Sequence, residues 1–278
     1  MPLGILASAA RAALALVLVC IAARAAPVAA AVAPHPLRIV SLIPSITEDL
    51  FAIGAGPNVV GVDAFSDRPA PARALPRVGG MRDVNAEAVL ALRPDVVVGI
   101  PYEAVHLADV ARGGVRTEVL PLDDLHDDLR AIERLGALTG RQAQARRVVG
   151  AIRARLAALA SAARRTRRLT AFVSLGGMGS AGGGSYVDEL LELANVHNVT
   201  GGVKRPWVTF SPEALVRTQP DVIVVPDRAA PLTGEPWADL AAVRAGRIVR
   251  VPEDDLLRPG PHVADVLGEL VAGLARWR

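Results

Sequence analysis

Short aliphatic and β-branched runs alternate with segments of helical spacing along most of the chain. Arg38–Leu42 (RIVSL), Val59–Val62, Asp95–Gly99 (DVVVG) and Thr117–Leu120 read as strands, with helical patterns at Ser45–Ile53 and Ala86–Leu92 between them. Unbroken apolar runs separated by helices predict parallel strands covered by crossover helices. From Asp127 to about Arg165 the pattern changes to a proline-free stretch rich in Ala, Arg and Leu, which Gly140 interrupts. Within it, Arg141–Ala163 places Ala145, Val148, Val149, Ile152, Leu156 and Leu159 at the spacing of one helix face. Such a helix is about 35 Å long, the width of a small domain. After Arg168 the first pattern restarts with Leu169–Leu175, Asp221–Val225, Arg247–Val251 and a last helix near Pro261–Trp277.

The restart is a repeat. Asn85-Ala86-Glu87-Ala88-Val89-Leu90 leads to Pro94-Asp95-Val96-Val97-Val98, and Ser211-Pro212-Glu213-Ala214-Leu215-Val216 leads to Pro220-Asp221-Val222-Ile223-Val224, at a constant offset of 126 residues. Val40-Ser41-Leu42 likewise matches Val173-Ser174-Leu175. The expected architecture is therefore α/β: two Rossmann-like lobes with parallel sheets, joined by a single long backbone helix. Ser211 is a good N-cap and Pro212 suits the first helical position, so Glu213 falls in the first turn, as does Glu87 behind Asn85. Acids there complement the helix dipole. Two of them at equivalent places also form a pair of anionic knobs suited to two basic sockets on a symmetric partner.

The N-terminus adds a compartment. Met1–Arg11 carries one positive charge and no acid, Ala12–Ala23 is apolar, and Ala23-Arg24-Ala25 is a small-residue exit. These are the parts of a secretory signal peptide, and the run is shorter than the ~20 residues a spanning helix needs. Export is therefore expected. Cys20 lies in the run, but Val19 precedes it where a lipoprotein signal wants a small residue, so lipid anchoring is not expected. The expected divisions are a signal peptide over 1–25, an N-terminal lobe over 37–138, a connecting helix over 139–166 and a C-terminal lobe over 167–278. The formal charge of +3 includes Arg11 and Arg24, so no basic field argues for nucleic acid. Beyond Cys20 there is no cysteine.

Candidate chemistry is sparse. The chain has only nine aromatic residues. Phe65, Tyr102, Tyr186 and Trp207 stand beside predicted loops, where flat ligands find aromatic faces. Pro44-Ser45 follows the first strand, at the end of the sheet where open α/β folds bind ligands. Ser45 also suits a plain N-cap. Gly177–Gly182 fits G-x-G-x-x-G, which opens an NAD(P)-dependent oxidoreductase as an alternative. The acid that this fingerprint needs about 20 residues on is missing, since no Asp or Glu lies between Glu192 and Glu213. The loop, including Gly179 and Ser180, is instead expected to let a bulky ligand approach the backbone. The five histidines show no zinc spacing, and Asp123-Asp124-Leu125-His126-Asp127-Asp128 is read as a helix start with acids at its favourable end. With no G-x-S-x-G and no cysteine outside the signal, neither an enzyme nor a metal centre is expected.

Several segments together resemble one family: RIVSLIPSITEDLFAIGAG (Arg38–Gly56), VVGVDAFSDRP (Val59–Pro69), LPRVGGMRDVNAEAVLALRPDVVV (Leu75–Val98), RPWVTFSPEALVRTQPDVIVV (Arg205–Val225) and RPGPHVADVLGEL (Arg258–Leu270). The chain resembles the periplasmic substrate-binding proteins of ABC importers for vitamin B12, ferric siderophores and haem, most closely those that bind vitamin B12. The resemblance implies a ligand held between the lobes, no resident cofactor, a monomer with little hinge motion, and docking of Glu87 and Glu213 on arginines of a permease dimer. Phe65 and Trp207 match aromatic positions that flank the corrinoid. Met81 stands where an aromatic is expected, and Asp254 and Arg258 match polar contacts from the last loop. The Met81 departure leaves the ligand open between cobalamin, a ferric siderophore and haem. For haem, Tyr102, Tyr186 and His106 are candidate axial ligands.

Overall fold

The computed structural model describes residues 36–278. The expected signal peptide and Cys20 lie outside the described residues. The first half runs β1 (Ile39–Ser41), α1 (Pro44–Ala52), β2 (Val59–Val62), α2 (Ala86–Ala91), β3 (Val96–Gly99), α3 (Ala104–Arg112), β4 (Arg116–Val119) and α4 (Leu125–Leu138). Its strands form a parallel sheet in the order β2-β1-β3-β4. Gly140 takes a left-handed φ of 71°, which ends α4 and turns the chain into α5 (Gln142–Ala163).

The second half runs β5 (Leu169–Val173), β6 (Gly179–Ala181), α6 (Tyr186–Leu193), β7 (Val196–Asn198), β8 (Trp207–Thr209), α7 (Pro212–Thr218), β9 (Val222–Pro226), α8 (Ala241–Arg244), β10 (Ile248–Val251), α9 (Glu253–Leu256) and α10 (Val263–Leu274). Four strands again form a parallel sheet, in the order β7-β5-β9-β10, so the strand sequence of the first sheet is repeated. The repeat extends to the backbone. Arg93 and Gln219, 126 residues apart, both turn left-handed, with φ of 48° and 46°. Asp95 and Asp221 then each accept a backbone N–H at the entry of the neighbouring strand, from Arg38 at 2.7 Å and Thr170 at 2.8 Å. Two strand regions differ from the sequence reading. β7 completes the second sheet, and β6 pairs antiparallel with β8.

The sheets alternate their side chains between two covers. Ile39, Val96 and Val98 of the first sheet and Leu169, Ala171, Val222 and Val224 of the second share one large core. Val40 and Val97 face a second cluster, and Phe172, Ile223 and Val225 a third. α5 supplies Ala145, Val149, Ile152 and Leu156 to the shared core, and Ala160 and Ala163 continue the buried stripe along its length. It packs on α4 from the first half and on α10 and α6 from the second. The two lobes are thus joined through a continuous apolar spine, and Leu37–Arg278 forms one compact unit.

Candidate functional site

The segments that follow β1, β2, β3, β4 and β10 lead to one cleft. Segments after β1 bring Leu42, Ile43, Pro44 and Ser45 to it; those after β2 bring Asp63, Phe65 and Met81. Ile100, Pro101 and Tyr102 follow β3, and Leu122 and Asp123 follow β4. The second half contributes Tyr186, Trp207 and the Glu253–Pro259 turn beyond β10. The cavity measures about 600 Å³, within the range of small-molecule sites. This is the sheet end where parallel α/β folds leave room for ligands.

The wall is apolar and wet. Phe65 and Tyr102 are each 59% exposed, and Met81, Trp207 and Leu257 are also exposed while lining the same cavity. Large apolar side chains left in water at one place mark a binding surface. Local bonds fix them. The Asp63 carboxylate accepts the Phe65 N–H at 2.8 Å and the Ser66 hydroxyl, and Ser66 continues to Thr47 at 2.8 Å and on to Ser41. Burial pushes the Asp63 carboxyl up, against the pull of the Ser66 bond. Trp207 is held edge-on to Tyr186, ring centres 5.9 Å apart.

A ladder of charges starts from Asp254 and Arg258 on the cleft wall. Arg258 reaches Asp67 at 2.7 Å, Asp254 at 3.1 Å and Glu48 at 3.8 Å. Arg68 reaches Glu48 at 3.1 Å and Asp255 at 2.5 Å. These bonds tie residues of the first half to the turn beyond β10. Burial pushes the Glu48 carboxyl up despite Arg68 and His262. At Asp67 burial also pulls upward, but the Arg258 hydrogen bond and charge outweigh it and hold that carboxyl low.

Of the candidates read from sequence, the fold brings together Pro44, Ser45, Phe65, Met81, Tyr102, Tyr186, Trp207, Asp254 and Arg258. It does not bring Gly179 and Ser180, which are corrected. Ser180 is buried and pairs its hydroxyl with Thr200 at 3.2 Å. Within the glycine run, Gly179–Ala181 is strand β6, paired antiparallel with the distant β8, so the run is not a single strand-to-helix turn and does not form the phosphate cradle of the oxidoreductase alternative. Its small residues serve chain packing: a Cβ on Gly182 or Gly183 would come within 2.3 Å or 2.2 Å of a neighbouring carbonyl oxygen. Tyr186 lines the cleft, but its hydroxyl donates to the Leu256 carbonyl at 2.7 Å and burial pushes its pKa well up, so it is not poised as a phenolate ligand. His106, on α3, is not among the cleft-lining residues.

Asp63, Asp123, Ile100 and Leu257 were missed. The signal for the first three was the end of a predicted strand. Among the described residues, no group of three or more His, Cys, Asp or Glu side chains is placed to hold a metal. None of their helices is long and apolar enough to cross a membrane.

Away from the cleft, Glu87 and Glu213 are both exposed in the first turns of α2 and α7. Asn85 caps α2 by accepting the Ala88 N–H, and Ser211 caps α7 by accepting the Ala214 N–H.

Comparison with known proteins agrees with this architecture. The chain is 27% identical over 256 residues to an uncharacterized ABC transporter substrate-binding lipoprotein of Bacillus subtilis, covering 86% of this chain and 80% of that one. The crystal structure of the periplasmic vitamin B12-binding protein of Vibrio cholerae superposes with a TM-score of 0.76 at 26% identity, over 87% of this chain and 98% of that one. A periplasmic heme-binding protein from Roseiflexus sp. RS-1 superposes with a TM-score of 0.78 at 28% identity, over 87% and 99%. The family model for periplasmic binding proteins matches residues 39–254, most of the chain, and this protein therefore belongs to the periplasmic binding protein family.

Proposed function

We propose that this protein is exported to the periplasm and captures a corrinoid such as cobalamin, or a similar metal chelate, in the cleft between its lobes, and delivers it to an ABC importer permease. The observation that carries the reading is the convergence of exposed Phe65, Tyr102, Trp207, Met81 and Leu257 on one cavity. Affinity then comes from burying a flat apolar face between surfaces already in place, with little ordering cost. The continuous core beneath both sheets supports a cleft that changes little on binding. No catalytic step is part of this reading.

A haem or ferric-siderophore ligand is the second reading, favoured by the likeness to a heme-binding protein and by the softer Met81 face. In it, Tyr102, not Tyr186, supplies the oxygen ligand. Absorbance titration of the mature protein with cobalamin, haem and ferric hydroxamate chelates, followed by calorimetry, separates the two. Tight binding of cobalamin with no spectral change at Tyr102→Phe supports the first. Binding of none of the three sinks the ligand class.

Docking is assigned to Glu87 and Glu213, exposed at equivalent helix starts 126 residues apart. Two acids held at a fixed separation suit two basic sockets on a two-subunit permease. Glu87→Ala with Glu213→Ala is expected to leave ligand affinity unchanged and abolish uptake. Normal uptake by the double variant overturns the assignment.

A further inference from the structure

The charge of the cleft wall is one-sided. It carries one guanidinium, Arg258, against four carboxyl groups, Asp63, Asp123, Glu253 and Asp254. Arg258 is committed to Asp67, Asp254 and Glu48. Glu253 and Asp254 also share Arg228, at 3.3 and 2.9 Å. Asp63 is buried and accepts from Phe65 and Ser66. Asp123 differs from all of these. It is exposed on the cavity wall, and no cationic side chain among the described residues pairs with it. Its backbone is nevertheless held, because its carbonyl accepts the Tyr186 N–H at 2.7 Å. Basic residues next to the aromatic wall in sequence do not compensate. Arg82 follows Met81 but does not line the cavity, and Arg205 lines a separate hollow behind Trp207.

We infer that the cleft selects a chelate whose rim is neutral or cationic, and that Asp123 is the specificity residue that receives an N–H or cationic group of that rim. The inference rests on the cleft being the ligand site. A carboxylate-rimmed ligand finds no free cation here. It leaves its charge unpaired beside Asp123 as water is excluded, and a buried unpaired charge is costly. Selectivity of this kind comes from a repulsive element as much as from an attractive one. The ring-stacking walls accept flat ligands of either sign; Asp123 divides them.

The test uses one ring with two rims. Iron protoporphyrin, with two carboxylates, is compared with its bis(2-dimethylaminoethyl) amide, which is doubly cationic at neutral pH. Cyanocobalamin, rimmed by carboxamides, is the third probe. Each is titrated by absorbance into the mature protein at constant ionic strength, and Trp207→Ala checks that binding is in the cleft by weakening it. The cationic porphyrin is expected to bind at least tenfold tighter than the dicarboxylate. Asp123→Asn is expected to shrink that ratio several-fold and to weaken cyanocobalamin by a smaller factor than the cationic porphyrin, since the Asn oxygen still accepts an amide N–H. Equal or tighter binding of the dicarboxylate, or a ratio unmoved by Asp123→Asn, overturns the inference and leaves the cleft reading standing. Failure of all three probes to bind overturns the corrinoid and haem readings of the cleft, and this inference with them.

Discussion

The two parallel sheets share a strand order but bury different chemistry. Among the described residues, every buried carboxylic acid belongs to the first half: Glu48, Asp49, Asp63, Glu103 and Asp128. The second half buries Ser174, Ser180, Ser185, Asn198 and Thr200 instead. These neutral groups find partners close by. Asn198 donates to the Ala181 carbonyl at 2.8 Å, Thr200 to the same carbonyl at 2.7 Å, and Ser185 to the Gly182 carbonyl at 2.8 Å. By contrast, neither Asp49 oxygen nor Glu103 Oε1 has a hydrogen-bond partner. The apolar side differs in the same sense. Phe172 packs against Phe210 and Trp237, while the matching cluster of the first half is aliphatic, built from Val40, Val89, Val97 and Leu107. One topology is thus stabilised in two ways: by rings and satisfied neutral groups on one side, and on the other by a core whose stability is linked to protonation.

The largest effect that tests this contrast is at Phe172, which is fully buried between two other rings. Phe172→Ala is expected to cost about 3–5 kcal/mol, the usual range for a large ring removed from a core. Urea unfolding at pH 6 and at pH 8.5 should return the same loss, because no buried acid lies in that cluster. A loss that grows with pH contradicts the division.

The next effect belongs to the first half and changes sign with pH. Burial pushes the Glu103 carboxyl up to about 8, with the Ile100 N–H pulling it down and Asp63 adding to the rise. Burial likewise pushes Asp49 well up, and its neighbours Asp128 and Glu48 add to this. A carboxyl raised in the folded state binds its proton more tightly there than in the unfolded chain. Stability is therefore highest in mild acid and falls as pH rises from about 4 toward 8, the window between the unfolded and folded values. Glu103→Gln removes the titrating group and keeps an acceptor for Ile100. At pH 8.5 it is expected to stabilise by on the order of 2 kcal/mol, and at pH 5 to be neutral or slightly destabilising. Thermal melts across pH 5–8.5 check both ends. A melting temperature that rises with pH in the native protein, or no flattening in the variant, removes the proposed linkage.

The same contrast shows where sequence reasoning reached and where it stopped. Val59–Val62 was legible as a short continuous apolar run, and the stripe of α5 because one-sided burial imposes a helical period. The repeat was legible because it preserves capping and strand-entry residues: Asn85 and Ser211, Asp95 and Asp221. β6, β7 and β8 were not, since each is three residues long and is defined by its partner rather than by its own pattern. The glycine motif failed for that reason: nothing local to Gly177–Gly182 says that Trp207–Thr209 will pair beside it. Asp123 was hidden by its neighbours. The DDLHDD run reads as a helix start, and Asp124 does cap α4 by accepting the Asp127 N–H at 2.7 Å. Only the fold shows that the cap leaves Asp123 outside the helix, on the cleft wall.

The smallest effect sits where the two halves look most alike. Glu87 and Glu213 occupy the same turn position, yet only Glu213 is tethered. Ser211 donates to its Oε2 at 2.6 Å, and that bond holds the Glu213 carboxyl below the ordinary value. Among the described residues the Glu87 side chain makes no hydrogen bond or ion pair. Loss of either cap, Asn85→Ala or Ser211→Ala, is expected to cost about 1 kcal/mol. Ser211→Ala alone should also raise the Glu213 pKa in an NMR titration, since its largest stabilising bond is gone. If docking needs a glutamate held in one place, uptake should fall more for Ser211→Ala than for Asn85→Ala at equal stability. If the two losses are equal, docking depends on the charge of each glutamate and not on how Ser211 holds one of them.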